Sequence, residues 1–253
     1  MTHIMSAIMK IGILICGDVP DALKQNYGNY SQCLIRELGL NNHNELYIYN
    51  AHLYELPESV EQCDVYIISG SPASICDEFG WVHNLILFTR EAFVRGKKLL
   101  GICFGHQLIN HALGGTLIRS KNGWGLGVYR TNIHKDYLGL QQGQKLSLFS
   151  MHQDQVIKPP KEFKVIAGSD FCVNYITCYQ DQILTIQGHP EFSTQFFLAL
   201  IHETKQNYCD LTIQKALKSS KKSVDSKILN TLIGKFIKEG SDHEYETNTE
   251  VSY

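Results

Sequence analysis

The chain has 253 residues, enough for one hydrophobic core of the α/β type, with 43% apolar and 19% charged residues. Its formal charge of −2 gives no electrostatic reason to expect nucleic acid or an anionic membrane as a partner. No apolar stretch approaches the ~20 residues that a membrane-spanning helix needs, so no membrane partner is expected.

The eight cysteines are scattered, and no two of them form a CxxC pair. A chain of this size does not need a disulfide framework, and its first ten residues lack the pattern of a signal peptide. We therefore expect a cytoplasmic protein with reduced thiols, most of them small buried hydrophobes. The eleven histidines include no HxH or HExxH pair, so neither a metal nor another cofactor is predicted.

Four β-type runs occupy the first hundred residues: Lys10–Cys16, Glu45–Tyr49, Asp64–Ser69 and Lys98–Ile102. The first and third are nearly continuously apolar, as strands covered on both faces are. Helical patterns lie between the runs, at Tyr30–Leu38 and Trp81–Arg95. This alternation predicts a parallel sheet with crossover helices.

The second half of the chain begins with β-type runs and ends with helices. The runs are Thr116–Arg119, Val128–Ile133, Phe163–Ala167 and Ile183–Gln187, and we expect them to add antiparallel strands to the same sheet. Helices are predicted at Phe192–Glu203 and Asp225–Lys238. Residues 10–240 are thus predicted to form a single α/β domain with a central, mostly parallel sheet flanked by helices. Residues 1–9 are expected to be an extension and the polar residues 241–253 a disordered tail.

A candidate nucleophile follows the fourth run. The apolar run Leu99–Ile102 leads through Cys103 to Gly105 and into a helical pattern, which is the strand–turn–helix context of a nucleophile elbow. Such a turn exposes the thiol at the carboxyl edge of the sheet, and the N-terminus of the helix favours the thiolate. The alternative is a buried structural cysteine beside two incidental glycines, and the short motif alone does not decide.

A candidate base follows another apolar run. The strand Ile183–Ile186 ends in Gly188-His189-Pro190-Glu191. If this strand is a parallel neighbour of the cysteine strand, His189 can take the proton of Cys103 and Glu191 can orient the imidazole. His189 alone would be interpreted as a surface histidine at a strand end, and its pairing with the cysteine elbow favours the catalytic interpretation.

Oxyanion donors are predicted in the turn Ser69-Gly70-Ser71-Pro72, which follows the third run. The backbone N–H of Gly70 or Ser71, together with that of Phe104, would form an oxyanion hole. A plain turn is the alternative.

These three segments resemble the class I (triad) glutamine amidotransferases. Gly101-Ile-Cys-Phe-Gly-His-Gln107 is similar to the nucleophile motif of that family, and Gln187-Gly-His-Pro-Glu191 is similar to its histidine–glutamate motif. The resemblance runs from about Lys10 to Phe197. It implies a flavodoxin-like fold with added antiparallel strands, and a γ-glutamyl thioester that releases ammonia and then glutamate.

The same resemblance assigns roles to individual residues. Cys103 would be the nucleophile, His189 the base and Glu191 its partner, and Gly70 and Phe104 would supply the oxyanion N–H groups. Gln107 and the segment Ser150–Asp154 would line the glutamine site. The residues expected to bind the substrate are Gln107, Ser150, Met151 and His152.

The Gly70-Ser-Pro72 turn looks like that of the stand-alone branch of the family, which is similar to the glutaminase domain of GMP synthetase and includes the γ-glutamyl peptidases. Gly125 stands where many relatives carry Glu.

Three hypotheses for the function follow from these observations. The first is hydrolysis of glutamine, with a separate synthetase as a possible acceptor of ammonia. The second is cleavage of glutathione-like γ-glutamyl compounds. The third is a non-catalytic binding module, against which the complete triad weighs.

Overall fold

The computed structural model describes residues 8–40, 44–77 and 79–238. Within them the strands are β1 (Met9–Leu14), β2 (Asn44–Tyr49), β3 (Val65–Ile68), β4 (Lys98–Ile102), β5 (Thr116–Arg119), β6 (Gly125–Ile133), β7 (Lys145–His152), β8 (Asp154–Lys158), β9 (Lys164–Gly168), β10 (Ile176–Tyr179) and β11 (Ile183–Ile186). The α-helices are α1 (Asp21–Tyr27), α2 (Tyr30–Glu37), α3 (Gly80–Val94), α4 (Phe104–Ala112), α5 (Thr194–Thr204), α6 (Asp210–Ser219) and α7 (Ser226–Lys238).

One large mixed sheet organises this part of the chain. Its nine strands lie in the order β2-β1-β3-β4-β11-β10-β9-β6-β7. The first five are parallel. The others continue the sheet as antiparallel neighbours. The prediction of a single α/β domain, with a parallel centre and added antiparallel strands, is confirmed. The run Ile183–Gln187, expected among the added antiparallel strands, is instead β11, which is parallel to β4 and antiparallel only to β10.

The parallel strands are buried on both faces, which explains their continuous apolar runs. In β3, Val65 and Ile67 pack in the core that includes residues of α2 and α7. Tyr66 and Ile68 alternate to the opposite face and pack with α3 and α4. The helices therefore form one layer on each side of the sheet.

One predicted strand lies elsewhere. Thr116–Arg119 is a strand, but it pairs with β8 in a separate two-stranded sheet, so its expected place in the main sheet was wrong. Most of its side chains are exposed, and such a strand cannot occupy a position that helices cover on both faces. Sequence reasoning also missed β7, β8 and β10. In β10 the buried Thr177 forms a hydrogen bond with Thr185 across the strand pair.

The ends of the chain remain predictions. Residues 1–7 of the expected extension and the expected disordered tail 241–253 lie outside the described residues, whereas Met9 begins β1. Among the helices that the structure describes, none is long and apolar enough to cross a membrane. Six of the cysteines are buried, and Cys76 and Cys209 are exposed.

Candidate active site

Cys103 occupies a sharp turn between β4 and α4. Its φ of 51° and ψ of −99° are rare for a residue with a side chain, and such a backbone costs about 1–3 kcal/mol. The two flanking glycines make the turn possible. A Cβ on Gly101 would lie 2.5 Å from the carbonyl oxygen of Gly105, and a Cβ on Gly105 would collide with the carbonyl oxygen of Ile68. The spacing of the motif is therefore a steric requirement of the elbow.

The thiol of Cys103 is almost buried and is contacted by polar groups. Gln187 donates from Nε2 toward its Sγ at 3.6 Å. The Gln187 side chain is held in turn by Gln107, whose Nε2 donates to Gln187 Oε1 at 3.2 Å and to the carbonyl oxygen of Asp154 at 2.8 Å. This chain of buried amides presents an N–H to the sulfur and stabilises negative charge there.

His189 lies beside the thiol because β11 is the parallel neighbour of β4. A Cβ on Gly70 would lie 3.7 Å from Cys103 Cβ and 3.1 Å from His189 Cε1, so both side chains pack against the same glycine. The imidazole stacks on the Phe192 ring with centroids 4.0 Å apart. The backbone N–H of His189 donates to the carbonyl oxygen of Phe149 at 2.8 Å. The ring is therefore fixed on several sides.

The Glu191 carboxylate contacts the Nδ1 side of the His189 imidazole. Its Oε1 lies 2.7 Å from His189 Nδ1, while His189 Nε2 has no hydrogen-bond partner among the described residues. Burial alone lowers the pKa of His189, but the negative charges of Cys103 and Glu191 outweigh it and raise the pKa to about 10. The site therefore favours a protonated imidazole at His189.

The predicted oxyanion donors lie beside Cys103 and His189. Within the described part of the chain, the backbone N–H groups of Gly70, Ser71 and Phe104 donate to no partner. The turn is held by Ser69, whose hydroxyl accepts from the Cys16 N–H at 2.9 Å and donates to the Gly70 carbonyl oxygen at 2.9 Å. Free N–H groups on a fixed turn can stabilise a developing oxyanion.

The residues predicted to bind substrate divide into two groups. Gln107, Met151 and His152 line the same cavity as Cys103 and His189. This cavity has a volume of about 590 Å³. Ser150 is fully buried, and its hydroxyl lies 3.1 Å from that of Tyr175 and does not line the cavity. Because side chains alternate along β7, residues 150 and 151 face opposite sides.

His152 is a neutral residue of the cavity wall. Its Nδ1 lies 3.1 Å from the carbonyl oxygen of Asp154. Burial, assisted by the charge of His189 and opposed by the hydrogen bond to Asp154, lowers its pKa to about 4. Among the described residues, no three His, Cys, Asp or Glu side chains form a group that could hold a metal ion.

A match to a protein-family model over most of the chain identifies the family. A model of the family described as "Glutamine amidotransferase class-I" matches residues 22–206. The chain belongs to the class I glutamine amidotransferases. The family predicted from the resemblance is confirmed.

Relatives of this glutamine amidotransferase include enzymes of two kinds. Gamma-glutamyl peptidase 2 of Arabidopsis thaliana is 30% identical over 88% of this chain and 94% of its own length. A subunit of the glutamine-hydrolysing GMP synthase of Saccharolobus solfataricus is 35% identical over 53% of this chain and 70% of its own. A solved glutamine amidotransferase of Thermotoga maritima has the same fold, with a TM-score of 0.68 over 91% of this chain and 98% of that one at 17% identity.

Sequence reasoning missed several residues of the candidate site. Tyr30 lines the cavity and donates to Glu191 Oε1 at 2.8 Å. Arg119 also lines it, with Nε 3.2 Å from Asp154 Oδ1, and Ser74 hydrogen-bonds the other oxygen of the same carboxylate. None of these contacts has a local motif, because the partners are far apart in the chain.

Gly125 has no room for a side chain. A Cβ there would lie 2.5 Å from Phe171 Cε1 and 3.3 Å from His152 Nε2. The Phe171 ring thus occupies the space that a side chain at position 125 would need.

Proposed function

We propose that the chain is a cysteine-dependent hydrolase of γ-glutamyl bonds, with Cys103 as nucleophile, His189 as base and Glu191 as its partner. One observation carries the proposal. The Cβ of Cys103 and the imidazole of His189 pack against the same glycine, Gly70, in one cavity, and a Glu191 oxygen lies 2.7 Å from His189 Nδ1. A nucleophile, a base and an orienting group in this order are the requirement for acyl transfer through a thiol.

In the first half-reaction, the Cys103 thiolate attacks the γ-carbonyl carbon of the substrate. The carbonyl oxygen becomes negative and accepts hydrogen bonds from the N–H groups of Gly70 and Phe104. The C–N bond then breaks, and the leaving nitrogen takes the proton of His189. A γ-glutamyl thioester remains on Sγ.

In the second half-reaction, His189 removes a proton from water, and the oxygen attacks the thioester carbon. The C–S bond breaks, glutamate leaves, and the thiolate is restored beside the protonated imidazole. Glu191 keeps Nδ1 protonated through both halves, so that Nε2 is the nitrogen that exchanges protons. Gln107, Met151 and His152 contact the glutamyl part of the substrate, and Ser150 contributes through its main chain.

The first candidate donor is glutamine, whose leaving group is ammonia. Membership in the glutamine amidotransferases supports it, as does the similarity to part of a GMP synthase. In that case a separate synthetase would accept the ammonia.

The second candidate donor is a γ-glutamyl peptide of the glutathione type. The similarity to a γ-glutamyl peptidase covers 88% of this chain. The cavity also has an apolar wall that ammonia does not need. Trp124 and Tyr208 line it with perpendicular rings whose centroids are 4.9 Å apart, and Leu200 lines it beside them.

A reducing compartment suits either activity, because the nucleophile and seven further cysteines are all free thiols. We therefore keep the cytoplasm as the proposed location.

The test is to incubate the purified protein separately with glutamine, glutathione and a chromogenic γ-glutamyl anilide, without nucleotide or partner, and to quantify released glutamate and leaving group. We expect turnover of at least one donor, lost in Cys103→Ala and retained in Cys209→Ala, which removes an exposed thiol. Wild-type protein that is inert toward all three would contradict the proposal and favour a non-catalytic module or a partner-dependent amidotransferase.

A further inference from the structure

The carboxylate behind His189 is held by a second donor. Glu191 Oε1 accepts from His189 Nδ1 at 2.7 Å and from the Tyr30 hydroxyl at 2.8 Å. Glu191 Oε2 is buried and has no hydrogen-bond partner among the described residues. Both bonds that fix the carboxylate therefore meet on one oxygen.

Tyr30 lies at a capped helix end, 161 residues before Glu191. It is the first residue of α2, and a capping box fixes the start of that helix. The Asn29 side chain accepts from the Gln32 N–H at 2.9 Å, and the Gln32 side chain accepts from the Asn29 N–H at 2.9 Å. The position of the hydroxyl thus depends on a helix end that is well anchored.

The hydroxyl is also confined on its other side. A Cβ on Gly70 would lie 2.9 Å from Tyr30 Oη, so the hydroxyl lies between the oxyanion turn and Glu191. Burial, reinforced by the negative charge of Glu191, keeps the pKa of Tyr30 well above its ordinary value. The hydroxyl therefore stays protonated and acts as a donor.

We propose that Tyr30 is a positioning residue, which holds the Glu191 carboxylate in the orientation that accepts the Nδ1 proton of His189. This inference rests on the proposed function, since it concerns the same site. Without the tyrosine bond, only the bond to His189 would hold the carboxylate, which could then rotate about its last torsion. The imidazole would lose its fixed orientation, and each proton transfer would start from a less favourable geometry. Tyr30 acts through Glu191, although it also lines the cavity.

The kinetic test compares Tyr30→Phe with wild type on a γ-glutamyl anilide. The substitution keeps the ring, which packs against the core, and removes only the hydroxyl. We expect kcat to fall by about tenfold, the scale of one hydrogen bond to a charged group, with KM within about twofold. Tyr27→Phe is the matched control, because the Tyr27 hydroxyl donates to the Gln195 carbonyl oxygen, away from the triad. It should behave as wild type.

A double-mutant cycle with Glu191→Ala separates the two possible roles. If Tyr30 acts through Glu191, adding Tyr30→Phe to Glu191→Ala changes kcat by less than about twofold. A substitution that raises KM while kcat is unchanged, or that keeps its full effect without Glu191, would assign Tyr30 to substrate contact and overturn the inference.

A third readout does not depend on turnover. The Nδ1 proton of His189 is expected to give a downfield NMR signal in wild type that is absent from Glu191→Ala. This signal should shift or exchange faster with solvent in Tyr30→Phe and stay unchanged in Tyr27→Phe. A wild type that is inert with this signal pattern would contradict the proposed function and leave the positioning role supported. An unchanged signal in Tyr30→Phe would overturn the positioning role.

Discussion

Ile102 and Ile186 are register partners at the ends of two adjacent parallel strands. Because of this pairing, Cys103 and His189 leave the sheet at the same edge, where α/β folds bind their ligands. Two distant motifs of the chain are thereby brought into one cavity, and the account of the site depends on their proximity.

Cys103 should be the thiol that reacts first with a glutamine-mimicking electrophile, and glutamine should protect it. It combines the elbow, a helix N-terminus and a neighbouring imidazole. Cys76 and Cys209 are exposed, so they serve as internal controls, and their labelling should not respond to glutamine. Peptide mapping after limited labelling measures this. Even labelling of several cysteines, with no protection, would argue against the assignment.

His189→Ala should reduce activity more than Glu191→Gln. The base transfers the proton, and loss of such a group costs ~10²–10⁴-fold in rate, whereas the carboxylate orients and stabilises it. We expect His189→Ala near background and Glu191→Gln partly active in an anilide assay. His202→Ala, at an exposed histidine that also pairs with a glutamate, should be fully active. A folded Glu191→Gln with wild-type kinetics would show that Glu191 has no role.

Gly105→Ala should destabilise the protein, because the new Cβ would meet the backbone of Ile68, which cannot move aside easily. We expect a loss of about 1–3 kcal/mol in the free energy of unfolding. Gly234→Ala is the matched control in another helix, where a Cβ meets nothing within 4 Å and the substitution should stabilise by up to about 1 kcal/mol. Urea unfolding measures both. Equal stability of Gly105→Ala and wild type would contradict the steric account of the elbow.

Stability should fall on acidification between about pH 6.5 and pH 4. Burial lowers the pKa of His106 to about 3 and that of His152 to about 4, from ordinary values of 6.5. The unfolded chain therefore binds more protons in this window, and lower pH favours it. Because the pKa of His189 is raised to about 10, protonated His189 stabilises the folded state at low and neutral pH. This contribution to the free energy of unfolding is lost as pH rises toward about 10.

The corresponding measurement is urea unfolding of wild type and His106→Asn at several pH values from 7 to 4. Each buried histidine can contribute up to about 1.4 kcal/mol per pH unit to the slope, so the variant should have a shallower pH dependence. His202→Asn should retain the wild-type slope because its ring is exposed. A free energy of unfolding that does not change over this range would refute the prediction.

Much of the site could be predicted because its chemistry is carried by short segments. Gly101, Cys103 and Gly105 indicate the elbow through a steric rule, and the apolar run before His189 indicates a strand. Both rules act within a few residues of sequence. The parallel pairing of β11 with β4, which joins the two segments, was only a condition of the sequence argument and comes from the structure.

The remainder of the site depends on contacts between distant parts of the chain. Tyr30 reaches Glu191 across 161 residues, and no local pattern marks it. Ser150 was assigned to the glutamine site by resemblance, but the alternation of β7 turns its hydroxyl toward Tyr175, and its binding role stays a prediction. The resemblance names the residue, whereas the direction of its side chain depends on how β7 pairs in the sheet.

The most direct test of the account is mass spectrometry of protein quenched soon after mixing with a γ-glutamyl donor. The account predicts an added glutamyl group on the peptide that contains Cys103, which accumulates when deacylation is the slower step. Turnover of the donor by wild type with no glutamyl group on Cys103 at any quench time, or with the group on another residue, would contradict the account.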